Sequence, residues 1–284
     1  MLALERSGSG GPVLCLHGWP GGASDYRLLT PLLTDVADVV VPHLPGFGRS
    51  FSPEDAARPA SDFDRDHLVA ALVEVLDGLS LDPVVVVGYD VGVTTAVALA
   101  RAVPDRVRAV VTGNLLGPSA LAPAVLDPRR RAEYWYQDFH QLELSARLVD
   151  GDPAAVRTYL EHFWSHWGSR PEAALEDALV EDFARPGAFR TSLGWYRSGS
   201  STLYAALALA EGGPAPTPVE VPATVLWGAE DPLFPPEHAD SASELLPAAD
   251  VRVLDGVGHF TPLEAAPEMA SAVRAHLGAA TVPA

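Results

Sequence analysis

Four consecutive valines at 84–87, followed by Gly88-Tyr89-Asp90-Val91-Gly92, constrain this chain more than any other stretch. A run that apolar belongs in a strand covered on both faces, as in a parallel sheet. The small residues at 94–100 continue at once as a helix. Strand, sharp turn and helix, with a glycine on each side of one polar apex residue, describe a nucleophile elbow. The glycines let strand and helix pack closely, and the apex side chain is held out above the sheet. Serine is the usual occupant of the apex; here it is Asp90. A structural turn aspartate would explain Asp90 alone, but not the valine run and both glycines together.

The rest of the chain alternates in the same style. Residues 2–5 read as a short strand and 7–11 as a turn. The apolar run 12–16 and Val39-Val40-Val41 read as buried strands, as do 107–111, 223–227 and 251–254. A helix is expected from Ser24 or Asp25 through Leu33, although Pro31 is a poor interior residue. Others are expected over 64–79, 237–246 and 267–277. Strands too apolar to face water, alternating with helices, imply a mostly parallel sheet with flanking helices. From about 118 to 217 strand-like runs vanish and aromatic residues concentrate, which reads as an inserted helical cap. The expected division is core over 1–117, cap over 118–217 and core again over 218–284. Gly212-Gly213-Pro214-Ala215-Pro216-Thr217-Pro218 reads as a linker.

Composition narrows the function. A formal net charge of -18 opposes nucleic acid and anionic membrane surfaces as partners. All 19 basic residues are arginine, so Schiff-base chemistry and a phosphate-loop lysine are excluded. The lone Cys15 lies in an apolar run and forms no internal disulfide, which fits a buried thiol and a cytoplasmic setting. No signal core or membrane-length apolar run is present. His162 and His166 have a spacing two metal ligands could use, but no third ligand is evident, so no metal is expected.

Loops at the carboxyl ends of the strands are where ligands sit in such sheets. His17-Gly18-Trp19-Pro20, Leu44-Pro45-Gly46, Asp90, Asp231 and His259 all fall there. Asp90, Asp231 and His259 follow the order nucleophile, acid, histidine. His259 can act as general base, and Asp231 can hold its tautomer; Glu230 competes for that place. An aspartate nucleophile restricts the target. Attack on an ester or amide would give an anhydride, whereas attack on a saturated carbon gives a stable alkyl ester that water can then cleave. The substrate should therefore carry an epoxide or a carbon–halogen bond. The backbone N–H groups of Val91 and Trp19 are the expected oxyanion donors.

These motifs resemble the epoxide hydrolases and related dehalogenases of the α/β-hydrolase fold. The resemblance rests on His17-Gly18-Trp19-Pro20, Pro45-Gly46-Phe47-Gly48-Arg49-Ser50, the Asp90 elbow, Gly228-Ala229-Glu230-Asp231-Pro232 and Gly258-His259-Phe260. It implies a cofactor-independent enzyme. It also implies two cap tyrosines that donate hydrogen bonds to the epoxide oxygen. Tyr196, in Gly194-Trp195-Tyr196-Arg197, is one. Tyr136 is the choice for the other, with Tyr134 and Trp135 as rivals. Haloalkane dehalogenases typically place a tryptophan after the nucleophile to cradle halide, and fluoroacetate dehalogenases usually an arginine; Val91 does neither, which favours an epoxide. Trp164, Trp167 and Phe163 fit a cap core better than a halide clamp, and His17 a structural place beneath the oxyanion turn. Relatives often carry two leading strands where this chain has room for one. The expected partner is a small apolar or aromatic epoxide. A dehalogenase and a non-catalytic binding module on the same fold stay as alternatives, and a homo-oligomer stays open.

Overall fold

The valine-rich runs become neighbouring strands of one sheet in the computed structural model, which describes residues 1–81 and 83–278. The strands are β1 (Leu4–Gly8), β2 (Gly11–Leu16), β3 (Ala37–Pro42), β4 (Val84–Gly88), β5 (Val107–Thr112), β6 (Ala223–Gly228) and β7 (Ala249–Leu254). Their spatial order is β1-β3-β2-β4-β5-β6-β7. Only β1 is antiparallel to its neighbour; the other pairs are parallel. The single leading strand closes one edge of the sheet, and β1 runs on to Gly8, so the expected turn at 7–11 is shorter than predicted. Every residue of β4 is buried, as its composition requires.

Helices α1 (Arg65–Leu79) and α2 (Val91–Ala102) pack against each other beside the central strands. Asp64 caps α1 by accepting from the His67 N–H at 2.9 Å. Leu68, Leu72, Val75 and Leu76 form its buried stripe. Between β5 and β6 lie only helices among the described residues: α3 (Pro118–Val125), α4 (Arg131–Gln141), α5 (Glu143–Val149), α6 (Pro153–Trp167), α7 (Asp177–Ala184), α8 (Ala188–Ser192), α9 (Gly194–Arg197) and α10 (Thr202–Ala210). After β7 come α11 (Thr261–Glu264) and α12 (Ala266–Leu277). Among the described residues no helix is long and apolar enough to cross a membrane.

Two expected α-helices differ. Residues 24–33 form two 3-10 turns, Ala23–Tyr26 and Thr30–Leu32, because Pro31 cannot donate the hydrogen bond that would join them. The expected helix over 237–246 is a run of 3-10 turns, Pro236–Glu244.

The register of the sheet levels the strand ends. Leu16 pairs with Gly88, Gly88 with Thr112, and Gly228 with Leu254. The loops that follow therefore emerge along one edge, and the polar residues they carry converge. Trp19, which comes from one of these loops, is fully buried. Its ring meets Tyr136 and His140 of α4, Tyr159 and Phe163 of α6, and Tyr196 of α9 at centroid distances between 4.5 and 6.3 Å. Large aromatic rings of roughly 150–250 Å² each thus hold the helical stretch down onto the sheet edge.

Candidate active site

Asp90 sits at the apex of the turn between β4 and α2 with φ 52 and ψ -121. Only Asp90 and Ser80 combine a side chain with positive φ among the described residues. A conformation of this kind costs on the order of 1–3 kcal/mol and persists where packing over-determines it. Here the packing is visible. A Cβ on Gly92 would lie 2.0 Å from the Leu16 carbonyl oxygen, and one on Gly88 would lie 2.4 Å from that of Gly92. The backbones of β2, β4 and α2 touch, and the turn between them has no freedom to relax. Gly18 is under the same pressure, since its Cβ would lie 2.5 Å from Asp90 Cβ.

The Asp90 carboxylate faces two partners. Its Oδ1 accepts from the Trp19 backbone N–H at 2.7 Å. Its Oδ2 lies 3.3 Å from His259 Nε2. That nitrogen is buried and lacks the alignment for a hydrogen bond to any protein atom. On the other side of the ring, His259 Nδ1 is 2.8 Å from Asp231 Oδ2. Asp231 is buried, whereas the side chain of Glu230 is exposed and takes no part. The Leu233 N–H donates to Asp231 Oδ1 at 2.8 Å. Val91 supplies the first amide of α2, directly after Asp90.

Asn114, two residues past the end of β5, has no motif to mark it and was missed by sequence reasoning. Its Nδ2 donates to Asp231 Oδ2 at 2.5 Å, and its Oδ1 accepts from the Gly228 N–H at 2.7 Å. It ties Asp231 to the strand on which its loop is built. His17 lies beneath the Trp19 turn, with Nε2 accepting from the Leu44 N–H at 3.1 Å. Burial pushes its imidazole down to about 4, so it is neutral and bridges two loops.

A cavity of about 130 Å³ opens over Asp90. Tyr136 and Tyr196 line it, with ring centroids 5.8 Å apart. Gln137 Nε2 donates to the Tyr136 hydroxyl at 3.2 Å, and the two phenols interact with each other and with the Asp90 charge. Burial raises both above the ordinary phenol value, so both keep their protons. Trp135 is not brought to the site. It is 37% exposed, off the cavity, and packs on Phe139, Tyr159, His162 and Phe163. Successive residues on a helix point about 100° apart, so Trp135 and Tyr136 cannot share one face. Tyr134 is committed elsewhere, its hydroxyl bonded to the Leu233 carbonyl.

The indoles near the site are also engaged. Trp164 Nε1 donates to the Pro20 carbonyl at 3.0 Å, and Trp19 Nε1 to Ser192 Oγ at 3.2 Å. The ring of Trp167 packs 5.0 Å from that of His259.

The charge on His259 couples folding to pH. Burial alone would push the imidazole down. The Asp231 and Asp90 carboxylates outweigh it and raise the group to about 10. A cation gained on folding in this way stabilises the protein fully below the unfolded value of about 6.5. The contribution declines as pH rises and is gone above about 10. The melting temperature should therefore fall between about pH 7 and pH 10 more steeply in the parent than in His259→Gln. Equal slopes would mean the imidazole does not carry that charge.

Known proteins share this frame. The profile of the alpha/beta hydrolase fold matches residues 11–266. Over 273 residues the chain is 27% identical to 2-hydroxymuconate semialdehyde hydrolase of Pseudomonas sp. (strain CF600), covering 95% of this chain and 88% of that protein. Over 270 residues it is 24% identical to soluble epoxide hydrolase of Corynebacterium sp. (strain C12), covering 91% and 87%. A solved epoxide hydrolase of Bacillus megaterium, in complex with an inhibitor, has the same fold, with a TM-score of 0.78 over 98% of this chain and 96% of that one at 19% identity.

Proposed function

The chain belongs to the alpha/beta hydrolase fold family, and we propose that within it the protein opens epoxides to vicinal diols through an ester of Asp90. The observation that carries this reading is a carboxylate at the elbow apex, with a buried imidazole on one side and two protonated phenols lining the cavity on the other. The Corynebacterium epoxide hydrolase relative supports it. So does the absence of a side-chain donor at Val91, with the nearby Trp19 and Trp164 indoles already committed.

In the first step Asp90 Oδ2, the oxygen not held by Trp19, attacks an epoxide carbon. A carbon–oxygen bond forms, the ring carbon–oxygen bond breaks, and its electron pair goes to the departing oxygen. That oxygen takes a proton from Tyr136 or Tyr196, the reason for phenols kept neutral by burial. In the second step water gives a proton to His259 Nε2 and attacks the Asp90 carbonyl carbon. The oxyanion is received by the Trp19 and Val91 N–H groups, and its collapse frees the diol and restores the carboxylate.

The electrostatics explain the order of the steps. In the resting protein His259 lies between two carboxylates and holds a proton. Esterification removes the charge of Asp90 and leaves Asp231 alone. The imidazole value falls, its Nε2 proton passes to the phenolate left by ring opening, and the emptied nitrogen can then accept a proton from water near neutrality. The base is thus switched on by the step it follows.

A single turnover in heavy-oxygen water, with protein in excess, tests the reading. The first diol should carry unlabelled protein oxygen, with the label found in Asp90. Label passing directly into the diol rules out the ester. Halide release from haloalkanes with no epoxide turnover would select a dehalogenase, and inertness toward both classes a binding module.

A further inference from the structure

The cavity over Asp90 holds an unusual pair of charges. Asp90, Thr94, Val97 and Arg101 follow at intervals of four, three and four along α2, so one face of that helix lines it from end to end. At 1.5 Å per residue the Asp90 and Arg101 backbones are about 16 Å apart. Arg65, the first residue of α1, lines the same space.

Neither arginine is neutralised. Arg65 Nη2 donates to the Ser200 carbonyl at 3.1 Å, and its guanidinium lies 5.5 Å from the Trp195 ring centroid. Its Nε is buried without a partner. Arg101 donates from Nε and Nη2 to one oxygen, the Thr217 carbonyl, at 3.0 and 2.7 Å. No carboxylate of the described residues lies within 4.0 Å of either guanidinium. Of the two acids that flank Arg65 in sequence, Asp64 is tied to the N–H and ring of His67, and Asp66 acts on the guanidinium only through its charge. Among the described residues Asp90 is the only carboxylate lining the cavity.

Arg6, Arg58 and Arg190 have carboxylate partners, while Arg130 and Arg170 are, like these two, met by carbonyls; what sets Arg65 and Arg101 apart is that both line the cavity that holds Asp90. Two like charges on one cavity, met by carbonyls and, at Arg65, by the Trp195 ring, form a receptor for an anion, with the exposed Arg101 at its rim. The guanidinium fork matches a carboxylate. Burial, and after it Arg101, lowers the proton affinity of Arg65, with Asp66 and Asp64 offsetting part of the effect.

We propose that the substrate is an acid: its carboxylate is held by Arg65 and Arg101, and its reactive carbon lies at Asp90. This deepens the epoxide reading and rests on it for the nature of the reactive group. The spacer is elongated and largely apolar, since Val97, Leu116, Leu121 and Trp195 line the same cavity. The arginines bind and orient; the chemistry stays with Asp90 and His259.

The test compares a ten-carbon ω-epoxy acid with its methyl ester. The acid-to-ester ratio of kcat/KM should be about tenfold or more in the parent, should fall toward one in Arg101→Gln and in Arg65→Gln, and should shrink with added salt. A second arm omits the epoxide and needs no catalysis. Calorimetric titration of the parent with decanoate and with decanamide should show decanoate at least about tenfold tighter, and Arg101→Gln should abolish the difference. If neither epoxide is turned over but the decanoate preference is present and depends on Arg101, the anion site stands and the epoxide reading falls. If decanoate and decanamide bind alike, or the preference survives Arg101→Gln, the anion site is wrong whatever the turnover.

Discussion

His259→Gln is expected to leave the first half-reaction running and to stop the second. Asp90 would keep its strained apex position and its contact with the Trp19 N–H, because neither depends on the imidazole. Attack on the epoxide would go on. The ester would then wait for a base that is no longer there. Steady-state turnover should fall by at least about 10³-fold, within the range for loss of general-base catalysis. Intact-protein mass should rise by the mass of one epoxide, with the adduct on the peptide that holds Asp90. Glutamine suits the test because it keeps an amide at the Nε2 position without a base, while Asp231 retains its bonds from Asn114 and the Leu233 N–H. Turnover near the parent rate would show that His259 is not the base. Lost turnover with no adduct would show that the imidazole is needed already for attack, and the two-step account would have to be abandoned.

The parts of this site that could be read from the residues alone share one property: their chemistry depends on local backbone shape. Asp90 is announced by Gly88 and Gly92, whose missing side chains are demanded by contacts of 2.4 and 2.0 Å. Asp231 and His259 follow strands that are recognisable by their apolar runs, so their loops could be assigned to one sheet edge. Asn114 escapes because nothing around it in sequence is unusual; it matters only because Gly88 pairs with Thr112 and brings β5 level with β4. Arg65 and Arg101 escape for the same reason. Each reads as an ordinary charge on an amphipathic helix, and only the docking of α1 on α2 beneath the helical stretch turns both toward one cavity. The choice between Tyr136 and Trp135 turned on one helical step of rotation, which aromatic composition does not encode. In the fold, the sheet was legible throughout. The turns at Ala23–Tyr26 and Pro236–Glu244 were not, since their apolar spacing is helical while their hydrogen bonding is 3-10.

The second large effect is expected at the phenols. Tyr136→Phe and Tyr196→Phe remove one hydroxyl each and keep the ring, so the stacking on Trp19 and the packing at Phe163 should survive. Loss of one donor to a developing oxyanion costs about 10²–10³-fold in rate, and each single change should slow alkylation of Asp90 by about that much. The pair should fall short of the product of the two. The phenols interact in the resting protein, and a survivor freed from its neighbour can shift toward the epoxide oxygen, so a double-mutant cycle should show coupling. The loss should be confined to the first step: rapid-quench measurement of ester formation slows, while decay of ester already formed keeps its rate, since His259 and the Trp19 N–H are untouched. A structural role would behave differently, lowering the melting temperature and slowing both steps together. Single changes that leave ester formation at the parent rate would mean that these hydroxyls only fill the space above Asp90, and the proton for the opened ring would have to come from elsewhere.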